Sequence, residues 1–331
     1  MGYYLFHNGS ANHSSEERIR GICRVLSEPP EIYSAGMEED WHYGLGEIGG
    51  LHRNSEGCFP LGSWCITACP FRVQEFNRSG ARSVLWGWVP GPQTLSREQI
   101  QNLRRFYRVI VPDEKNLELL RTVGIRKSLR LGPDPAFLVN RHIRPLDGVF
   151  RVDTVGLCVS PSVNRFERSQ GLLYHSYCHL IKWILRNTNW QIALIPYSVK
   201  TGCNDRLLHM ALRQRFEGEP RLICREDGDC RELRGDLSLC RCCVGTAGVL
   251  AGWSCGVPGL CIGTSGRARW MARMLFGSEQ ETLVSAGALK TEDELTLRFV
   301  DFLKREDALR GWLEVSLPRY RQWARQWQWC G

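Results

Sequence analysis

Short apolar runs alternate with segments of helical periodicity along most of this 331-residue chain. The runs predict strands at Tyr3–Phe6, Glu31–Ser34, Ser83–Gly87, Val109–Val111 and Ser128–Leu131. A second series follows at Val155–Ser160, Ile192–Pro196, Arg221–Cys224, Cys242–Thr246 and Leu260–Gly263. Between the runs, apolar residues recur at three- and four-residue spacing. This predicts helices over Ser14–Leu26, Glu98–Arg105, Lys115–Val123, Gln170–Asn187, Asp205–Phe216, Ala247–Cys255 and Arg267–Phe276. Regular strand–helix alternation predicts parallel sheets in an α/β protein. The polar stretch Asn140–Asp153, with Pro145 and Gly148, separates the two series. We therefore expect an N-terminal Rossmann-like domain over residues 1–145 and a C-terminal one over 146–331 that carries the terminal helices.

Three strand-to-helix connections are rich in small polar residues: "HNGSANHSSEE" after the first strand, "IPYSVKTGCND", and Gly263-Thr264-Ser265-Gly266. Ser14 with Glu17 has capping-box spacing, which makes Asn8–His13 a loop ahead of a helix. In open parallel sheets, ligands bind outside the carboxyl ends of the strands. Asn8–His13, Tyr197–Asn204 and Gly263–Arg269 are thus expected to line one cleft. In the last of these, Arg267 opens a helix on which Trp270, Met271, Met274 and Leu275 share one face, with Arg269 and Arg273 opposite. A cation in a first helical turn opposes the helix dipole by roughly 0.3–1 kcal/mol, so Arg267 calls for an anion nearby.

Composition narrows the class. Lys and Arg total 43 against 35 Asp and Glu, a net charge of +8, and only six of the basic residues are Lys. Arginine suits bidentate capture of carboxylate and phosphate. These arginines are spread along the chain, so they do not by themselves point to nucleic acid. No run approaches the ~20 apolar residues of a membrane span. The opening residues lack a basic region followed by a long apolar one, so no signal peptide is expected and the protein is read as soluble and cytoplasmic. In that compartment the 15 cysteines are expected to be reduced thiols. Cys240, Cys242 and Cys243, like Cys65 and Cys69, lack the paired spacing of a zinc site, and no metal is expected. His175 and His179 lie one turn apart without the Glu of a zinc-hydrolase motif and are read as surface or packing residues. In the tail "RYRQWARQWQWCG", Trp323 and Trp327 share a helix face. They are read as packing on the body, and stacking on nucleic acid is the other reading.

Several blocks, in order, resemble the polysaccharide pyruvyl transferase family. "GYYLFHNGSANHSSEERIRGICRVL" is similar to its opening strand and loop, and "LGPDPAFLV" (Leu131–Val139) to the signature that closes its first domain. "GLCVSP" (Gly156–Pro161) resembles the strand that opens the second domain. "NTNWQIALIPYSV" resembles a segment ending in Ile-Pro-His, with Tyr197 at the His position. "AGWSCGVPGLCIGTSGRARWMARMLFG" resembles the family's most specific block. The resemblance implies two Rossmann-like domains in the glycosyltransferase-like GT-B arrangement. It also implies transfer of a pyruvyl (enolpyruvyl) group from phosphoenolpyruvate to a carbohydrate of a cell-surface glycan. Asn8, Gly9, Ser10, Asn12, His13 and Tyr197 would contact substrate, and Ser265, Arg267 and Arg269 would hold the anionic donor. The implied partners are phosphoenolpyruvate or a similar anionic donor and a carbohydrate acceptor, with no nucleic acid and no cofactor.

The sequence departs from the family where chemistry is concerned. The family's Arg-x-His pair would fall on Gly245 and Ala247, and "CCVGTAGVLAG" holds no titratable side chain except cysteine. Thr264 stands where the family has Tyr. General acid–base assistance contributes ~10²–10⁴-fold in rate. The catalytic residues are therefore left unassigned, and the alternative is an inactive paralogue that binds a glycan or anion as a regulatory or scaffold protein.

Overall fold

A computed structural model of the chain describes residues 3–7, 31–34, 64–67, 82–87, 95–126, 129–139, 153–161, 171–198, 204–225, 228, 230–263 and 265–327. The chain divides into two compact units. One comprises Met1–Val139 with Arg321–Gly331, and the other Asn140–Tyr320.

The first unit is built on a six-stranded parallel sheet: β1 (Tyr3–His7), β2 (Glu31–Ser34), β3 (Trp64–Thr67), β4 (Arg82–Trp86), β5 (Arg108–Val111) and β6 (Leu129–Leu131). Its strand order is β2-β1-β3-β4-β5-β6. The order reverses between β1 and β3, as in doubly wound folds. β3 was not expected from its short run, which Thr67 ends. Two helices are fixed by local chemistry. α1 (Arg97–Arg105) starts in a capping box, in which Ser96 Oγ accepts from the Gln99 amide and Gln99 Oε1 from the Ser96 amide. α2 (Glu114–Thr122) is capped by Asp113, which accepts from the Asn116 amide. Their inner faces bury Leu103 and Leu120 against Leu85, Val109, Val111 and Leu129.

The tail departs from expectation. It was assigned to the second domain, yet Arg321–Gly331 belongs to the first unit. The cause is apolar packing with a polar anchor. Trp327 sits 4.9 Å from the fully buried Trp86 and donates its indole N–H to the Leu131 carbonyl at 3.0 Å. Trp86 in turn donates to the Pro133 carbonyl at 2.8 Å. Gly132 leaves room for the Trp327 ring, since a Cβ there would lie 2.9 Å from it. The tail tryptophan at 327 thus packs on the body, as read from its spacing.

The second unit repeats the plan. Its strands are β7 (Thr154–Cys158), β8 (Gln191–Leu194), β9 (Leu222–Cys224), β10 (Cys242–Gly245), β11 (Gly259–Ile262) and β12 (Leu283–Val284). All described pairings are parallel, in the order β12-β11-β10-β7-β8-β9. Read from its own first strand, this is the 3-2-1-4-5-6 order of the Rossmann fold. The interleaved helices are α3 (Leu172–Asn187), α4 (Asp205–Arg215), α5 (Cys230–Ser238), α6 (Ala247–Cys255) and α7 (Gly266–Phe276), followed by α8 (Glu294–Leu303) and α9 (Glu306–Gln326), which belongs to this unit as far as Tyr320. β7, β8 and β10 are buried along their whole length, which is why they read as continuous apolar runs.

At the amino edge of this sheet, Arg241 lies over the Trp190 ring at 4.7 Å. Its guanidinium bridges Asp153 at 3.3 Å and Glu306 at 2.9 Å, and Arg310 closes on Glu306 at 2.9 Å. This network joins the entries to β7, β8 and β10 to the first turn of α9.

Every described cysteine from Cys158 to Cys261 is a free thiol. Burial pushes the Cys158 and Cys242 thiols well above the usual range. Cys243 is raised through its hydrogen bond with the Cys240 thiol and by burial. These sulfurs fill space left by glycine: a Cβ on Gly156 would lie 3.0 Å from Cys240 Sγ and 3.3 Å from Cys243 Sγ.

Candidate functional site

In a sheet of this order the crevice lies where the strand order reverses, between β7 and β10. β10 ends at Gly245, which takes φ +136°, a conformation closed to residues with a side chain. A Cβ there would lie 2.2 Å from the Cys158 carbonyl oxygen. The turn that follows is held against β7 by Thr246, whose amide (2.8 Å) and hydroxyl (3.1 Å) both donate to that carbonyl.

This geometry has a consequence for α6. Thr246 is its N-cap residue by position, and threonine ordinarily caps through its side-chain oxygen. Here the hydroxyl is turned to Cys158, and α6 starts with no side-chain cap. Ala247, the first helical residue, is exposed. Gly248 lets the first turn lie directly on β7 and β8: a Cβ there would be 2.7 Å from Cys158 Cβ and Sγ and 3.3 Å from Tyr197 Cγ. An uncapped helix start with backbone N–H groups and no side chain in the way is the local chemistry that takes a phosphate or carboxylate.

The neighbouring strand ends frame this turn. After β8, Asp205 is buried, and its Oδ2 accepts from the amides of Tyr197 (2.9 Å) and Ser198 (2.8 Å). The Asp205 amide donates to the Ser198 carbonyl at 2.7 Å, which ties the start of α4 back to the end of β8. One turn further along α4, His209 is buried, and its ring N–H bonds the Val159 carbonyl just past β7. Its Nε2 is buried without a hydrogen-bond partner. Burial lowers its pKa to about 4, so the imidazole is neutral at physiological pH. Asp205 and His209 therefore hold the loops at the crevice.

The residues expected from the sequence fall as follows. Asn8, Gly9, Ser10, Asn12 and His13 lie outside the described residues, as does Thr264. Tyr197 follows β8 at the carboxyl edge but is buried beneath Gly248. Ser265 is the N-cap of α7, its hydroxyl accepting from the Ala268 amide at 3.2 Å. Arg267 is half-buried on the first turn of α7, after β11. Arg269 reaches the other way, to Glu279 at 2.7 Å, and Arg273 takes the second oxygen of the same carboxylate at 2.9 Å. The two arginines do share a face, and that face serves an ion pair that an anion would have to displace. Gly245 and Ala247 both lie in the β10–α6 turn, and the clash at Gly245 excludes an arginine there on this backbone.

Sequence reasoning missed Thr246, Gly248, Asp205 and His209. The Gly245-x-x-Gly248 spacing after an apolar run was the available signal. His175 and His179, read as surface or packing residues, approach Glu292 at 3.8 and 3.0 Å with all three side chains about half exposed. Among the described residues, no three His, Cys, Asp or Glu side chains form a metal-sized group, and no helix is long and apolar enough to cross a membrane.

No protein-family model matches the chain, and no curated protein matches it by sequence. Solved structures do match. A putative UDP-N-acetylglucosamine 2-epimerase from Listeria monocytogenes superposes with TM-score 0.67 at 11% identity, covering 98% of this chain and 93% of that one. S. aureus MnaA, solved with UDP, gives 0.68 at 9% identity, covering 98% and 94%. A UDP-forming α,α-trehalose-phosphate synthase from Burkholderia xenovorans gives 0.56 at 11%, covering 96% of each chain. These likenesses assign the chain to the GT-B architecture of two Rossmann-like domains with parallel sheets, the fold class expected.

Proposed function

We propose that this chain is a GT-B transferase acting on a carbohydrate, and that its second unit takes a phosphate-bearing donor at the first turn of α6. The observation that carries this reading is the uncapped helix start at the β7–β10 switch point, opened by Gly245 and Gly248. Arg267, on the helix after the adjacent strand, adds positive charge; Arg269 is committed to Glu279.

Two donors are supported by separate lines. The sequence blocks resemble a family that uses phosphoenolpyruvate, and the structural neighbours include proteins solved with UDP. Both donors present a phosphate, which the turn's backbone amides read without regard to the rest of the molecule. We favour phosphoenolpyruvate, with its pyruvyl unit transferred to two hydroxyls of a glycan sugar as a ketal and phosphate released, because that resemblance runs through the second unit from Gly156 to Gly277. The second reading is a non-catalytic glycan- or anion-binding paralogue. It is favoured by one feature: the turn from Gly245 to Gly248 offers no group to move a proton.

A thermal-shift series with phosphoenolpyruvate, UDP and UDP-N-acetylglucosamine tests the binding claim. A ligand at about 100 times its dissociation constant stabilises the fold by about 2.7 kcal/mol. Phosphate release from phosphoenolpyruvate in the presence of glycan acceptors then separates the enzyme from the binder. No shift with any of the three defeats the claim that the turn takes a phosphate-bearing donor.

A further inference from the structure

Leu207 and Met210, on α4, are 66% and 68% exposed. In a helical projection they fall on one outward face with Gln214, and half-buried Ala211 lies beside them. Arg206 and Arg213 border this face on one side and Arg215 on the other, all three exposed. The opposite face buries Asp205, His209 and Leu212. The only acid of the helix, Asp205, is thus withdrawn from the surface, and Glu217 just beyond its end is the nearest exposed carboxylate along the chain. Arg213 bonds the carbonyls of Leu222 and Glu219, neutral partners that leave its full charge in place.

We propose that the outward face of α4 docks on an anionic lipid surface. Two long apolar side chains standing free between arginines match the interfacial pattern, in which the apolar groups enter the acyl boundary and the guanidinium groups stay with phosphate headgroups. The combination selects the occupant. A soluble polyanion engages the arginines and gains nothing from Leu207 and Met210. An apolar protein groove would take Leu207 and Met210 and leave three cations at its rim. The net charge of +8 favours the same partner over longer range. This surface is separate from the β10–α6 turn, and the inference stands whichever donor that turn takes.

The test is vesicle co-sedimentation of the full chain with phosphatidylcholine alone and with phosphatidylcholine containing phosphatidylglycerol. The expected result is binding to the anionic vesicles that weakens as salt is raised, with little binding to the neutral ones. L207Q/M210Q keeps the charge and should lower the partition coefficient by roughly tenfold. R206Q/R215Q should lower it by roughly fivefold per arginine. Both variants alter exposed positions, and unchanged melting temperatures would show that the fold is intact. Equal binding to both vesicle types, or retention of binding by L207Q/M210Q, overturns the proposal. So does concentration-dependent self-association that L207Q/M210Q abolishes, which would assign the face to a second copy of the chain.

Discussion

Replacing Gly248 by alanine probes how closely α6 must lie on β7. The added Cβ would sit 2.7 Å from Cys158 Cβ and Sγ. Carbon contacts settle near 3.5–4.0 Å, so the first turn of α6 has to retreat by about 1 Å. Overpacking of this kind costs about 1–3 kcal/mol, and alanine's better helix propensity returns up to about 1 kcal/mol. The expected net loss is about 1 kcal/mol. Gly311, in α9, is the control, because a Cβ there meets nothing within 4 Å. Gly311→Ala should gain about 0.5–1 kcal/mol from propensity alone. The two variants should therefore differ by about 2 kcal/mol in urea unfolding, with equal m-values. Gly248→Ala should also weaken phosphoenolpyruvate binding by roughly tenfold, since charge-assisted hydrogen bonds from the displaced amides lengthen. If both glycine variants are stabilising, α6 does not press on β7 and the account of the turn fails.

Other expectations follow from the same structure. Glu306 is 4% exposed and accepts from Arg241 and Arg310, each about one-third exposed; Glu306→Ala should cost roughly 2–3 kcal/mol in urea unfolding, below the full figure for a buried pair because the arginines keep solvent. His209 has its pKa lowered by burial to about 4, so its neutral form contributes stability that is complete above pH ~6.5 and is lost as pH falls toward 4. His209→Gln should flatten that segment of the stability–pH curve, by about 3 kcal/mol across it; an unchanged slope would mean that the imidazole is not buried neutral. Arg267→Ala should weaken donor binding by roughly 1.5–3 kcal/mol in a calorimetric titration, while Arg269→Ala, which removes the guanidinium held by Glu279, should leave it unchanged.

The parallel α/β plan was legible because buried central strands such as β7 and β10 cannot hide their apolar composition. α6 was read to the residue, since Gly256 in a left-handed conformation ends it. Elements whose stability comes from elsewhere were not legible. α5 carries Gly235 and Asp236 in its middle and persists because residues Leu233–Leu237 are buried; its propensity alone argues against a helix. β12 is two residues long and exists through pairing with β11. The return of the tail to the first unit depends on Trp86 and Leu131, about 200 residues away in sequence, a separation that periodicity does not register. At the site, Thr246 illustrates the limit. A threonine ahead of a helix reads as a cap, and only the position of the Cys158 carbonyl shows that its hydroxyl is taken. Arg269 reads as an anion ligand for the same reason: Glu279, which it shares with Arg273, lies beyond the helix that places them.

The central claim is that backbone amides at the start of α6 hold the donor's phosphate. Amide chemical shifts of deuterated, ¹⁵N-labelled protein titrated with phosphoenolpyruvate, and separately with UDP, test it directly. The account predicts that the Ala247 and Gly248 amides move furthest and saturate with one dissociation constant, and that Gly248→Ala raises that constant. Shifts confined to Gly266–Ala268 at the start of α7, with Ala247 and Gly248 unmoved, would contradict it.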